Sequence, residues 1–261
     1  MKMFRRALLA LPLLALVACG GARAPEPVSY HGSLRGYTDN DPHDWTRSPY
    51  GLEVHGTDAS RHNGPIDWRA AAANGMSFVW IKATEGGDRL DPAFHRNWEG
   101  AAQAGIPRGA YHVFYFCRSA AEQAEWFIRN VPRTPGAMPP VLDVEWTPLS
   151  PTCTIRPPKE QLWPELRTFL RMLEQHYGTR PVIYTVPDLF DERDMNQFGG
   201  YEYWLRSTAA HPSERYPGTP WTFWQYTSTA VGPGFQSELD LNAFNGNAAG
   251  FAQWFARRQV P

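Results

Sequence analysis

Two carboxylates stand two residues apart in Leu142-Asp143-Val144-Glu145. Side chains alternate along a strand, so Asp143 and Glu145 share one face while Leu142 and Val144 share the other. At the C-terminal end of a barrel strand, such a pair lies where enzymes of that architecture keep their reacting groups. Like charges held together resist joint ionisation, so one carboxyl is expected to keep its proton near neutral pH. A general acid for a glycosidic oxygen requires this. Solvated Asp and Glu are also common at strand ends, so the pair alone leaves both readings open. Three further acidic or polar strand ends favour chemistry. Asp58 follows His55-Gly56-Thr57, Glu85 follows Ile81-Lys82-Ala83-Thr84, and Asp240 stands two residues before Asn242 in Leu239-Asp240-Leu241-Asn242. If these segments are parallel neighbours, their ends converge on one pocket.

The elements that must position these groups are legible as alternating strand and helix patterns. Runs rich in β-branched and aromatic residues are expected as strands at 52–57, 78–83, 109–116, 140–145, 181–184, 203–206 and 222–225. Helices are expected at 67–74 and at 92–104, where Gly105 follows in the position favouring a left-handed residue. Ser119-Ala120-Ala121-Glu122 is a capping box for a helix reaching about Asn130. The longest helix is expected at 164–177, with Leu166, Phe169, Leu170, Leu173 and Tyr177 at helical spacing, Pro164 in its first turn and Gly178 at its end. Strands alternating with helices imply parallel pairing. Beyond residue 178 the strand-like pieces are short and lack long helices between them. The fold class is therefore α/β, an irregular TIM-like (β/α) barrel with a shortened, helix-poor second half.

Composition narrows the function. Net charge is −1 with both signs mixed throughout, so nucleic acid is not an expected partner. Aromatics reach 14%, including 11 Trp, a level that suits stacking on sugar rings, although core packing accounts better for most of them. No Gly-x-Ser-x-Gly elbow, His-Glu-x-x-His helix or phosphate-binding glycine loop is present. The histidines are scattered, and His112 reads as a hydrogen-bonded core residue, so no metal and no cofactor are expected.

Lys2, Arg5 and Arg6 precede an apolar run from Ala7 to Ala18 that is far short of the roughly 20 residues a membrane span needs. Residues 1–18 are expected to be a signal peptide. Leu16-Val17-Ala18-Cys19 resembles the lipobox of bacterial lipoproteins, which makes Cys19 a lipidation site and residues 19–50 a flexible tether; an ordinary signal peptide is the alternative. Gly20 after that cysteine suits outer-membrane sorting in a two-membrane cell. The folded domain is expected over 51–261. Cys117 and Cys153 then form an even pair in an oxidising compartment, expected to be a disulfide, with two free buried thiols as the alternative.

Several ordered segments carry a family resemblance: Gly56-Thr57-Asp58-Ala59-Ser60, Ile66-Asp67-Trp68, Phe78 to Gly86, Asp91-Pro92-Ala93-Phe94, Ala104 to His112, Asp143-Val144-Glu145 and Trp224-Gln225-Tyr226-Thr227. Together they make the chain, from about Leu52 to Phe244, resemble the glycoside hydrolase family 25 muramidases. The resemblance implies hydrolysis of the β-1,4 bond between N-acetylmuramic acid and N-acetylglucosamine in peptidoglycan. It implies Glu145 as acid/base, Asp143 as the partner that stabilises the reacting sugar, and Asp58 and Asp240 as further acidic residues of the pocket. Tyr111, Tyr184 and Trp224 would line the groove, and Glu85 would be a structural or rim residue. A substrate-assisted route through the 2-acetamido group and an inverting route both fit the spacing.

Where relatives often have Trp-Leu-Ala, this chain has Trp204-Leu205-Arg206. Arg206 is expected either to recognise a substrate carboxylate or to pair with Asp143 or Asp240. A degenerate, glycan-holding protein of the same fold and a glycosidase for another acetamido sugar are the rival functions. All four acidic positions are intact, which favours the enzyme. The expected partners are glycan strands and, through lipid, a membrane; the chain is expected to act as an exported monomer of the cell envelope.

Overall fold

The computed structural model describes residues 34–261. The expected signal peptide, the lipidated Cys19 and the first part of the tether lie outside the described residues. Ten strands occur among those described: β1 (Thr38–Asp39), β2 (His55–Ala59), β3 (Val79–Glu85), β4 (Arg89–Leu90), β5 (Arg108–Val113), β6 (Val141–Val144), β7 (Val182–Thr185), β8 (Glu202–Arg206), β9 (Phe223–Val231) and β10 (Leu239–Phe244). The helices are α1 (Trp68–Ala73), α2 (Phe94–Gln103), α3 (Ala120–Asn130), α4 (Lys159–Tyr177), α5 (Pro187–Glu192), α6 (Pro212–Arg215) and α7 (Ala248–Arg258).

Eight strands close into a barrel in the order β2-β3-β5-β6-β7-β8-β9-β10, with β10 returning to β2. The pairings from β2 through β3, β5, β6, β7 and β8 to β9 are parallel, while β10 is antiparallel to both its neighbours. The expected irregular second half is present. A six-residue helix and one 3-10 turn link β7 to β8, a four-residue helix links β8 to β9, and no helix separates β9 from β10.

Alternation along the strands divides the protein into two cores. Inward-facing Phe78, Trp80, Val141, Val182, Trp204, Phe223 and Phe244 fill the lower barrel, and α7 closes its floor with Phe251 and Trp254. Trp254 meets Phe223 at 4.9 Å and Phe251 meets Phe78 at 5.6 Å between ring centroids. The bulk of Trp80 needs space on the next strand, and Gly109 supplies it: a Cβ there would lie 2.6 Å from the indole. Outward-facing residues such as Val79, Ile81, Leu142, Ile183 and Leu205 pack instead beneath the helices. The apolar stripe of α4, Leu162, Leu166, Phe169, Leu170, Leu173 and Tyr177, is buried there. Gly178 ends that helix at φ 70°, as expected of a left-handed cap.

Three expectations need correction. The helix expected from Pro164 begins at Lys159, so Pro164 stands inside it. The apolar stripe begins at Leu162 and carries the helix through the proline, whose side chain is exposed. Helix α7 was not among the expected elements, although Phe251, Trp254 and Phe255 have helical spacing and Asn247 caps it by accepting from Gly250 N–H at 2.8 Å. The folded part also begins well before residue 51. Leu34 and Tyr37 are buried in the outer core, β1 pairs with the end of β9, and Trp45 packs edge-on against Trp224 at 5.0 Å. Residues 34–50 therefore belong to the folded body instead of a flexible tether. Their few apolar side chains suffice because each is placed on an existing surface.

Candidate active site

The C-terminal ends of the seven parallel strands meet at one rim, and a pocket of about 230 Å³ opens there. Asp58, Tyr111, Asp143, Glu145, Tyr184, Arg206 and Asp240, all expected in the site, line it. Asp143 is the third residue of β6 and Glu145 follows the strand, so both face inward by alternation. Asp240 arrives differently from the parallel arrangement expected. It lies at the start of β10, the one reversed strand of the eight in the barrel, and pairs directly across from Asp58. A cross-strand pair of this kind has Cβ atoms roughly 4.5–5.5 Å apart. Reversal brings the beginning of β10 to the rim where the other strands end.

One expected groove residue is elsewhere. Trp224 is wholly buried on the outer side of β9, where Nε1 donates to Ser207 O at 2.7 Å and the ring meets Trp45 and His211. Its neighbour Gln225 takes the inward position, and Trp204, on β8, supplies the indole that lines the pocket. The signal was available in the parity of β9: an inward Phe223 places Gln225 inward and Trp224 outward.

Two relays of hydrogen bonds hold Asp58. Tyr184 OH donates to Gln225 Oε1 at 2.8 Å, and Gln225 Nε2 donates to Asp58 Oδ2 at 2.9 Å. Trp204 Nε1 donates to Asn242 Oδ1 at 2.7 Å, and Asn242 Nδ2 donates to the same carboxylate oxygen at 2.9 Å. Gln225, Asn242 and Trp204 are thus positioning residues that the sequence reading did not assign to the site. Burial raises the Asp58 pKa, and the two amide donors oppose that shift.

Asp143 has no comparable support. It is 5% exposed, and its Oδ1 is buried with no hydrogen-bond partner. Burial pushes its pKa well above the ordinary value, and the nearby Glu145 charge pushes it the same way. Glu145 is also raised by burial, with the Arg206 and Lys82 charges pulling back. Burial and the Asp58 charge raise Asp240 well above the carboxylate range. The mouth therefore favours protonated carboxyls, with the relays assisting ionisation only at Asp58. Tyr111 and Tyr184 remain neutral phenols, because burial and the surrounding carboxylates both disfavour phenolate.

The loop that carries Glu145 is tied down on both sides. Thr185 Oγ1 donates to Val144 O at 2.9 Å, and Trp146 packs on Phe116 with the Arg156 and Arg193 guanidinium groups over its ring. Cys117, after β5, forms a disulfide with Cys153, after β6, with Cα atoms 5.7 Å apart. The expected bond thus links two rim loops. Glu85 lies just outside the pocket as an ion-paired rim residue. Burial alone would raise its pKa, but the bonded Lys82 ammonium and nearby arginines hold it below the ordinary value. A larger groove of about 630 Å³ runs along α4 beside Tyr201, but Glu160 is the sole carboxyl lining it. Volume alone does not locate the chemistry.

A closed (β/α) barrel with acidic side chains gathered at the C-terminal rim, their pKa values raised by burial, has the equipment of a glycoside hydrolase. Comparison with known proteins places the chain in that class. The particular family follows from the match of the model described as glycosyl hydrolases family 25 to residues 57–235. The chain belongs to that family. It is 35% identical over 209 residues to the uncharacterized protein YegX of Escherichia coli K12, covering 77% of this chain and 72% of that protein. It is 34% identical over 215 residues to lysozyme M1 of Streptomyces globisporus, covering 75% and 69%. The fold matches a family 25 glycosyl hydrolase from Bacillus anthracis with a TM-score of 0.72 and 34% identity, covering 82% of this chain and 97% of that one. A bacterial lysozyme from Streptomyces coelicolor matches with a TM-score of 0.66 and 33% identity, covering 76% and 94%.

Proposed function

We propose that this protein is a muramidase that hydrolyses the β-1,4 bond between N-acetylmuramic acid and N-acetylglucosamine, with Glu145 as acid/base and Asp143 as its stabilising partner. The observation that carries this reading is the buried Asp143 Oδ1 with no donor, two residues before the acid and facing the same pocket. A buried acceptor without a partner is costly. The N–H of a 2-acetamido group seated in the pocket would satisfy it and draw Asp143 into its ionised form.

In the substrate-assisted sequence, Glu145 gives its proton to the glycosidic oxygen as the bond to the anomeric carbon breaks. The acetamido carbonyl oxygen attacks that carbon, and the carboxylate of Asp143 steadies the positive charge of the cyclic intermediate. Water then adds to the anomeric carbon while Glu145 recovers a proton from it. Asp58, held by its two relays, and Asp240 supply acidic groups across the mouth. The upward shift of the Glu145 pKa by burial is the direction a general acid needs.

Digestion of purified peptidoglycan by residues 34–261, followed by reduction and mass spectrometry, tests the reaction. Muramic acid at the new reducing ends, absent with Glu145→Gln, is the expected result. Glucosamine at those ends would overturn the bond assignment, and co-sedimentation with sacculi without release would favour a glycan-holding protein. Anomeric configuration followed by NMR during turnover separates the routes, since substrate assistance retains it and direct water attack inverts it.

We further propose export and anchoring to the envelope through lipid on Cys19, with action as a monomer. This reading rests on the charged, apolar and small-residue order of residues 1–19. Metabolic labelling with a fatty acid should mark the wild type and not Cys19→Ser.

A further inference from the structure

We infer that Arg206 is a specificity residue that binds a carboxylate of the substrate, so that this enzyme prefers glycan bearing free carboxylates over neutral glycan of the same backbone. The inference rests on the muramidase reading above and deepens it.

Arg206 ends β8, and alternation from Trp204 directs its side chain into the pocket beside Glu145 and Asp240. Its backbone is fixed: Tyr216 OH donates to Arg206 O, and the next residue, Ser207, donates its N–H to Gln225 O at 2.9 Å. The guanidinium, by contrast, touches no partner, although its charge acts at longer range on Asp58, Glu145 and Asp240. Among the described residues it makes no side-chain hydrogen bond, and no carboxylate lies within 4.0 Å of it. The expected pairing with Asp143 or Asp240 is therefore not formed. A half-buried guanidinium with five unused donors beside acidic groups is a site held open for an anion.

The charge pattern identifies that anion as part of the substrate. Among the described residues lining the pocket, Asp58, Asp143, Glu145 and Asp240 are acidic and Arg206 is the one cation. An anionic substituent that enters this water-poor mouth loses its hydration, a cost that is offset only where a fixed positive charge receives it. Guanidinium presents a planar fork matched to carboxylate, which an ammonium does not. Muramic acid supplies a lactyl carboxylate, and the peptide stem that amidates it supplies carboxylates of its own. Their shared chemistry is a carboxylate close to the scissile bond.

The test compares the wild type with Arg206→Met and Arg206→Lys on four glycans: stem-free strands with free lactyl carboxylates, intact peptidoglycan, and each of these after methyl esterification. Esterification should raise the wild-type KM about tenfold to hundredfold on the preferred glycan, the loss expected for one hydrogen-bonded charge. Arg206→Met should show the same rise on unmodified glycan, fall on KM more than kcat, and respond little to esterification. Arg206→Lys should recover part of the difference. A loss confined to stem-free strands assigns the lactyl carboxylate, and one confined to intact peptidoglycan assigns the stem. An equal loss on esterified and free glycan, with a shifted pH profile, would overturn the inference and make Arg206 a tuner of its acidic neighbours. Unchanged kinetics in Arg206→Met would overturn it equally. Failure of the wild type to cut any of the glycans would instead reject the muramidase reading.

Discussion

The floor and the mouth of the barrel are built by the same strands and differ in almost everything else. Below, Phe78, Trp80, Val182, Phe223 and Phe244 meet Phe251 and Trp254 with no charge among them. Above, one or two residues further along the same faces, Asp58, Asp143, Glu145 and Asp240 replace the rings. The contrast teaches how the fold prepares an acid. Dry aromatic packing beneath the carboxyls withholds solvent from them, so burial is the first cause of the raised pKa at all four. Apart from Trp204, which also lines the pocket, the floor serves the chemistry from beneath the site.

The sharpest break of the comparison comes from Glu145→Gln. It should lower turnover by about 100-fold to 10,000-fold, the range for loss of a general acid, while the melting temperature stays at or above that of the wild type. Near-normal release of fragments from peptidoglycan would reject Glu145 as the acid. In the wild type, activity should fall as pH rises through the raised Glu145 pKa, because the proton needed by the leaving oxygen is lost.

Phe223→Ala attacks the floor instead. It removes the ring that touches Trp80, Phe78 and Trp254, and should destabilise the fold by about 3–5 kcal/mol in chemical denaturation. A cost under about 1 kcal/mol would mean that the lower barrel is not tightly packed. Cys117→Ser tests the rim loops. Freeing a bond with a sequence separation of 36 should cost roughly 2–4 kcal/mol, and an unchanged melting temperature in oxidising buffer would show that the bond contributes nothing.

Asp240→Asn is the smallest effect and has the opposite sign. A carboxyl whose folded pKa is raised binds its proton more tightly in the folded state. Its contribution is fully present below the unfolded value and is lost as pH rises through the folded value. Removing the charge should therefore stabilise the fold at neutral pH by on the order of 1 kcal/mol, with the gain vanishing near pH 4. A gain of equal size at both pH values would show that packing, and not charge burial, is responsible.

How much of this was legible varied with how local the cause was. Asp143 and Glu145 could be placed on one inward face from their spacing alone, and the disulfide partners followed from there being two cysteines in the folded domain. The parity of β9 was equally local, but the groove role of Trp224 came from the family resemblance and not from parity, which puts Gln225 inward in its place. Asn242 was visible beside Asp240 and carried no sign of its task, because donating to Asp58 requires β10 to lie antiparallel beside β2. The segment from 34 to 50 read as polar chain because its buried apolar residues, Leu34, Tyr37 and Pro49, are few and find their surface only on the finished barrel.

The amino-acid order by itself determined which groups could do chemistry and which face of each strand carried them. Alternation and helical spacing are properties of neighbouring residues along one chain, and they hold before any folding contact forms. Only the tertiary structure decided which groups meet. Reversal of β10 set Asp240 across from Asp58, closure of the barrel joined the relays through Gln225 and Asn242, and the dry floor raised the carboxyl pKa values. Each of these depends on segments far apart in sequence excluding water together, which no local pattern encodes.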